Sequence, residues 1–252
     1  MNFRELTVDA YSRLHDLIAS RVEPPLVPFL GYKYPEGESD FIYDLQECDF
    51  TRELVNAFNQ YAYWVERVGL WEDILCGYSE DEALELRLEF TTLLLDYSLS
   101  FPQKFKSRII FCATQLCYTK GIAEKLISKE CVRSDEKIDM SALVAIANHW
   151  SSCVKLVAVL RDVDAKQYRE STANYRNKAQ HQHPQRLDYG HTANVVRSFP
   201  LGYSVSYAFG ESPPLATSDV LPSLTEEAAK MQIAFFAYRD LVGEHTGIKR
   251  ET

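Results

Sequence analysis

The chain has 252 residues, 46% of them hydrophobic and 25% charged, which is ordinary globular usage and enough length to bury a sizeable core. No stretch approaches the roughly 18 uninterrupted apolar residues of a membrane span, and the first residues mix Arg4, Glu5, Asp9 and Asp16 among apolar ones, unlike a secretory signal, so a cytoplasmic protein with no membrane partner is expected. The formal net charge of −9 argues against a general nucleic-acid coat protein, which needs a positive surface.

Leu6, Ala10, Leu14, Leu17 and Ile18 recur at helical spacing and predict an amphipathic helix that ends before Pro24-Pro25. The stretch 24–39, with four prolines and two glycines, predicts an extended loop. A second helical region follows over about 50–76, rich in rings (Phe58, Tyr61, Tyr63, Trp64, Trp71), and Gly69 is expected to break it. Such aromatics can stack bases, but in a helical protein they more often fill a core. Ser79 and Glu82 have the form of a capping box and open a helix to about Ser100. Pro102 then suits the first position of a new helix, whose buried stripe is Phe105, Ile109, Ala113, Leu116 and Cys117; the two are expected to form an antiparallel pair.

After a polar connection from Ser128 to Asp139, Leu143, Ala147, Trp150, Val154, Val157 and Leu160 define a further apolar face. Helix is expected to continue through Tyr168 and Tyr175 and to stop before Pro184, which disfavours helical geometry at His183. From Phe199 to Phe209 apolar residues alternate with small or polar ones, a period of two that predicts a short β-hairpin or an extended arm. Ser223 and Glu226 look like a second capping box, opening a C-terminal helix through Met231, Phe235, Tyr238 and Leu241. Six cysteines with no Cys-x-x-Cys spacing read as free thiols in apolar helical patterns. The expected fold is therefore all-α, a helical bundle forming one domain over 1–252.

Between Arg161 and Arg197 stand seven Lys/Arg (161, 166, 169, 176, 178, 186, 197) against four Asp/Glu (162, 164, 170, 188), so this stretch carries +3 and the remainder −12. That asymmetry is compatible with a restricted anion-binding face. Inside it lies Arg176-Asn177-Lys178-Ala179-Gln180-His181. Phosphodiester cleavage in RNA needs a base for the 2'-hydroxyl, an acid for the leaving 5'-oxygen and positive charge for the transition state, and histidine with arginine meets those needs. On an ideal helix a five-residue offset sets the Arg176 and His181 side chains about 140° apart. Asn177 and His181, four apart, share a face, so Asn177 can orient the imidazole.

This hexapeptide resembles the Arg-polar-x-x-x-His signature of the HEPN family, helical proteins that include many metal-independent ribonucleases. The resemblance implies a HEPN-like part within 79–245, RNA as substrate, a homodimer whose second protomer completes the site, no metal and no cofactor, and a setting such as toxin-antitoxin or phage defence. It also implies His181 as acid/base, Arg176 as phosphate clamp and Asn177 as orienter, with Lys178, His183, Arg169 and Arg186 holding substrate. Arg176/His183, Arg186/His191 and Arg239/His245 fit the bare spacing too. Gly190 removes the helical context of Arg186/His191, whereas Arg239/His245 competes. His181, His183 and His191 also raise a metal site, but two residues apart do not face each other on a helix and no carboxylate partner is evident. No Gly-x-Ser-x-Gly elbow, phosphate-binding glycine loop or dinucleotide fingerprint is present. The alternative to an enzyme is a non-catalytic helical interaction or immunity-type protein whose acidic surface binds a basic protein partner.

Overall fold

Apolar residues at helical spacing build nine α-helices among the residues that the structure, a computed structural model, describes: 2–20, 26–28, 41–181, 183, 185–198 and 205–247. They are α1 (Phe3–Ser20), α2 (Phe41–Leu75), α3 (Glu80–Leu86), α4 (Thr92–Ala123), α5 (Met140–Ile146), α6 (Ser151–Asp162), α7 (Lys166–Ser171), α8 (Tyr175–His181) and α9 (Thr217–Thr246). A π-helical turn, Arg87–Thr91, joins α3 to α4, and an antiparallel hairpin, β1 (Thr192–Ser198) with β2 (Ser206–Ser212), separates α8 from α9. The fold is all-α, as the periodicity predicts. No helix among the described residues is long and apolar enough to cross a membrane.

Several boundaries differ from the sequence reading, each for a local reason. Helix α2 starts at Phe41 and passes through Gly69 unbroken, because burial of the flanking Leu70, Trp71, Ile74 and Leu75 outweighs the cost of about 1 kcal/mol for a helical glycine. The Ser79–Glu82 capping box is formed. Helix α4, however, runs through Pro102 rather than beginning there, so the expected antiparallel pair is one continuous rod. Helix α9 likewise begins at Thr217, ahead of the Ser223 capping signal, and holds Pro222 inside it. The long helix expected from 143 to the motif is cut in three places: by the extended backbone of Trp150 between α5 and α6, and by left-handed residues at Asp164 and at Ala173–Asn174. At the last cut the Asn174 N–H returns to the Arg169 carbonyl at 2.6 Å, closing the end of α7, and asparagine tolerates that backbone well. Of the alternating run, residues 206–209 lie in β2, whereas 199–204 lie outside the described residues, as does most of the predicted loop 24–39.

The chain divides into two compact units, each assembled from three stretches. Unit 1 comprises Met1–Val22, Trp64–Ser100 and Lys166–Thr225; unit 2 comprises Glu23–Tyr63, Phe101–Ala165 and Glu226–Thr252. In unit 1, Leu6, Ala10 and Leu14 of α1 pack with Leu70, Trp71, Ile74 and Leu75 of α2 and Leu86 of α3. Trp71 stacks on Phe90 at 4.8 Å, so its ring fills a core. In unit 2, Tyr61 stacks on Phe101 at 5.4 Å, and Phe58 meets Phe105 at 6.2 Å. Tyr63 is exposed. Cys112, Cys117 and Cys153 are buried free thiols as expected, but Cys48, Cys76 and Cys131 are free and exposed.

Candidate functional site

The sequence-predicted residues cluster in unit 1, on α8 and the loop that follows it. That loop is fixed by an ion network reaching far along the chain. Arg87, the first residue of the π turn, makes a two-pronged contact with Glu72 and pairs with Asp188 at 3.1 Å. Burial disfavours the Arg87 cation, yet hydrogen bonds and charge from Glu72 and Asp188 prevail and raise its pKa. Asp188 in turn accepts from the Thr217 N–H at 2.7 Å and the Thr217 hydroxyl at 2.6 Å, capping the start of α9. Positive φ at Asp188 (59°) and Gly190 (78°) turns the chain, and a parallel bridge ties Leu187 to Leu215. The π turn matters here because it sets Arg87 and the start of α4 beside this loop.

A groove of about 660 Å³ opens beside the anchored loop. Its walls include Leu88 of the π turn, Thr92 and Asp96 of α4, and Tyr175 at the start of α8. The loop adds His183, Arg186, Tyr189 and His191. Tyr175 donates to the Asp96 carboxylate at 2.7 Å, and burial together with that bond pushes its phenol far above the usual range, so it remains a neutral donor. The Arg186 backbone N–H donates to the Thr192 hydroxyl at 2.9 Å, and the residue is exposed. The groove thus gathers two imidazoles, one guanidinium, two phenols and one carboxylate. A guanidinium beside imidazoles and phenols offers an anion several hydrogen-bond donors.

Of the predicted residues, His183 and Arg186 line this groove; Arg176, Asn177, Lys178, His181 and Arg169 do not. His181 is exposed at the end of α8, Arg169 is exposed on α7, and Arg176, Asn177 and Lys178 are half-buried. Among the described residues no hydrogen bond links Asn177 to His181. The Arg176 Nε is enclosed and has no partner among the described residues. Sequence reasoning missed Asp96, Tyr175 and Tyr189 as groove residues and the Arg87–Asp188 anchor. A helical count from Tyr175 would mark it as the buried residue that opens the motif helix, but Asp96 and Arg87 reach the site only through the fold.

The competing Arg239/His245 pair belongs to the interior of unit 2, where both residues are buried. His245 Nδ1 lies 2.8 Å from the Tyr43 hydroxyl and its Nε2 3.9 Å from the Cys117 sulfur, with the Trp150 ring centroid at 4.7 Å. Burial, with the nearby Lys120 charge, pulls its pKa down to about 3. A sealed, neutral imidazole of this kind is core, with no route to a polymer substrate. No group of three His, Cys, Asp or Glu among the described residues is arranged to hold a metal ion. No family model matches the chain, and neither a curated protein nor a solved structure matches it.

Proposed function

We propose that the protein is a metal-independent endoribonuclease of HEPN type, acting through Arg176 and His181 on α8 with the adjoining groove as substrate path. The observation that carries this reading is the enclosed Arg176 Nε, which has no partner among the described residues, since a buried donor left unpaired costs free energy that an anionic ligand recovers. Arg176 binds the scissile phosphate, whose negative charge its planar fork matches. His181 takes the proton of the 2'-hydroxyl as the 2'-oxygen bonds to phosphorus; the bond from phosphorus to the 5'-oxygen breaks, and that oxygen gains a proton from a second imidazole. His181 of a second copy of the chain supplies it in a homodimer. Asn177 orients the ring when substrate is bound, while Lys178, His183, Arg169 and Arg186 hold flanking phosphates.

The test is incubation of pure protein with tRNA, rRNA and unstructured RNA in EDTA, repeated with Arg176→Ala, His181→Ala and His245→Ala. Chelator-resistant cleavage falls by about 100-fold or more in the first two, whereas folded His245→Ala retains it. Absence of cleavage on every substrate favours the second reading, a non-catalytic helical protein that binds a basic protein partner. That reading draws on the −12 carried outside the basic stretch.

A further inference from the structure

The hairpin presents an apolar face that the fold leaves in water. In the register of β1 with β2, Val195 stands opposite Phe209 and Arg197 opposite Tyr207. Strand alternation puts these four on one face. Phe209 is 83% exposed, Val195 61% and Tyr207 53%, and six of the seven β2 residues are exposed. A two-stranded ribbon is marginal by itself, so large rings in solvent are a cost without a binding partner. The Arg197 guanidinium lies over the Tyr207 ring, 5.7 Å from its centroid, so this face carries a cation stacked on a ring beside the open Phe209.

We infer that this face of the hairpin, built from Tyr207, Phe209 and Arg197, is a stacking platform for unpaired bases of single-stranded RNA; the inference rests on the ribonuclease reading and gives it a substrate form. Two features select a nucleic acid over a second copy of the chain. The first is charge complementarity in the segment that leads into the ribbon. From Lys166 to Arg197 unit 1 carries six Lys/Arg (166, 169, 176, 178, 186, 197) against Glu170 and Asp188 alone. Both acids are already engaged, Glu170 by Lys166 at 3.4 Å and Asp188 by Arg87 at 3.1 Å. In a chain of net −9, such a segment suits a polyanion. The second is continuity, because Thr192 both lines the groove and opens β1, so a strand lying in the groove continues onto the ribbon.

Ring spacing selects single strands over duplex. Side chains two apart on one strand face sit about 6.8 Å from each other, twice the roughly 3.4 Å between stacked duplex bases. An extended strand can lay one base on each ring; a stacked helix cannot offer its base faces at all.

Fluorescence anisotropy with a short labelled single-stranded RNA of mixed sequence, and with the same RNA annealed to its complement, tests the idea in the His181→Ala background. Phe209→Leu keeps an apolar group but no ring, and it weakens single-strand binding at least about fivefold, whereas Phe209→Trp retains it. Duplex binding changes little in either. Equal single-strand affinity for Phe209→Leu and the parent overturns the platform while leaving the nuclease reading intact, provided Arg176→Ala still lowers affinity. Failure of the parent to bind any RNA overturns both. A Phe209→Leu protein that changes its solution mass but not its RNA affinity assigns the face to self-association and overturns the platform.

Discussion

At the level of single side chains, the burial of His245 carries a pH signature that has nothing to do with catalysis. Its folded pKa of about 3 lies below the ordinary value of 6.5, so above 6.5 both folded and unfolded chains hold it neutral. As pH falls below 6.5 the unfolded chain gains a proton that the folded one refuses, and stability declines until pH reaches about 3. The expected loss from this residue is on the order of 3 kcal/mol at about pH 4. Urea unfolding across this range checks it: His245→Asn, which keeps an acceptor for Tyr43, flattens the slope, and a slope unchanged by that substitution contradicts the assignment. Arg176 and His181 behave differently. Their motif is contiguous, so it was legible before any fold was known, whereas the interior position of Arg239 and His245, six residues apart rather than five, was not. Only packing distinguishes the two pairs.

Among the elements, the loop between α8 and β1 owes its shape to residues distant in sequence. Asp188 joins Arg87 of the π turn to the first turn of α9, and both carboxylate oxygens are used. Asp188→Ala removes an ion pair and a helix cap together, with an expected cost of about 2 kcal/mol. Hydrogen exchange of the amides over 185–192 accelerates in the same variant. A cost below about 0.5 kcal/mol, the level of an ordinary surface change, counts against the anchor. Helical periodicity made most elements legible, because stripes such as Leu6, Ala10 and Leu14 encode their own burial. The misplaced boundaries fall where local signals compete with packing: Gly69, Pro102 and Pro222 all lie inside continuous helices, and Asp164 and Asn174 end helices without glycine or proline. In the hairpin the alternation of β2 was visible, but β1 gave no warning because its sequence, Thr-Ala-Asn-Val-Val-Arg-Ser, lacks strict alternation.

For the molecule as a whole, the proposed cleavage needs a second imidazole beside His181, and on that proposal a second copy of the chain supplies it. Light scattering is expected to return twice the 28.9 kDa chain mass, and a monomer at catalytic concentrations contradicts the shared site. If the basic stretch binds RNA as proposed, affinity is expected to fall steeply with salt, and less steeply in Arg186→Gln, which would remove one phosphate contact. The most direct measurement is mass spectrometry of RNA ends after digestion in EDTA by wild type and by His181→Ala. Transfer of the 2'-oxygen to phosphorus leaves 2',3'-cyclic phosphate ends in the wild-type digest and none with His181→Ala. Intact RNA with wild type, or the same ends at the same rate from His181→Ala, contradicts the assignment of Arg176 and His181 as the catalytic pair.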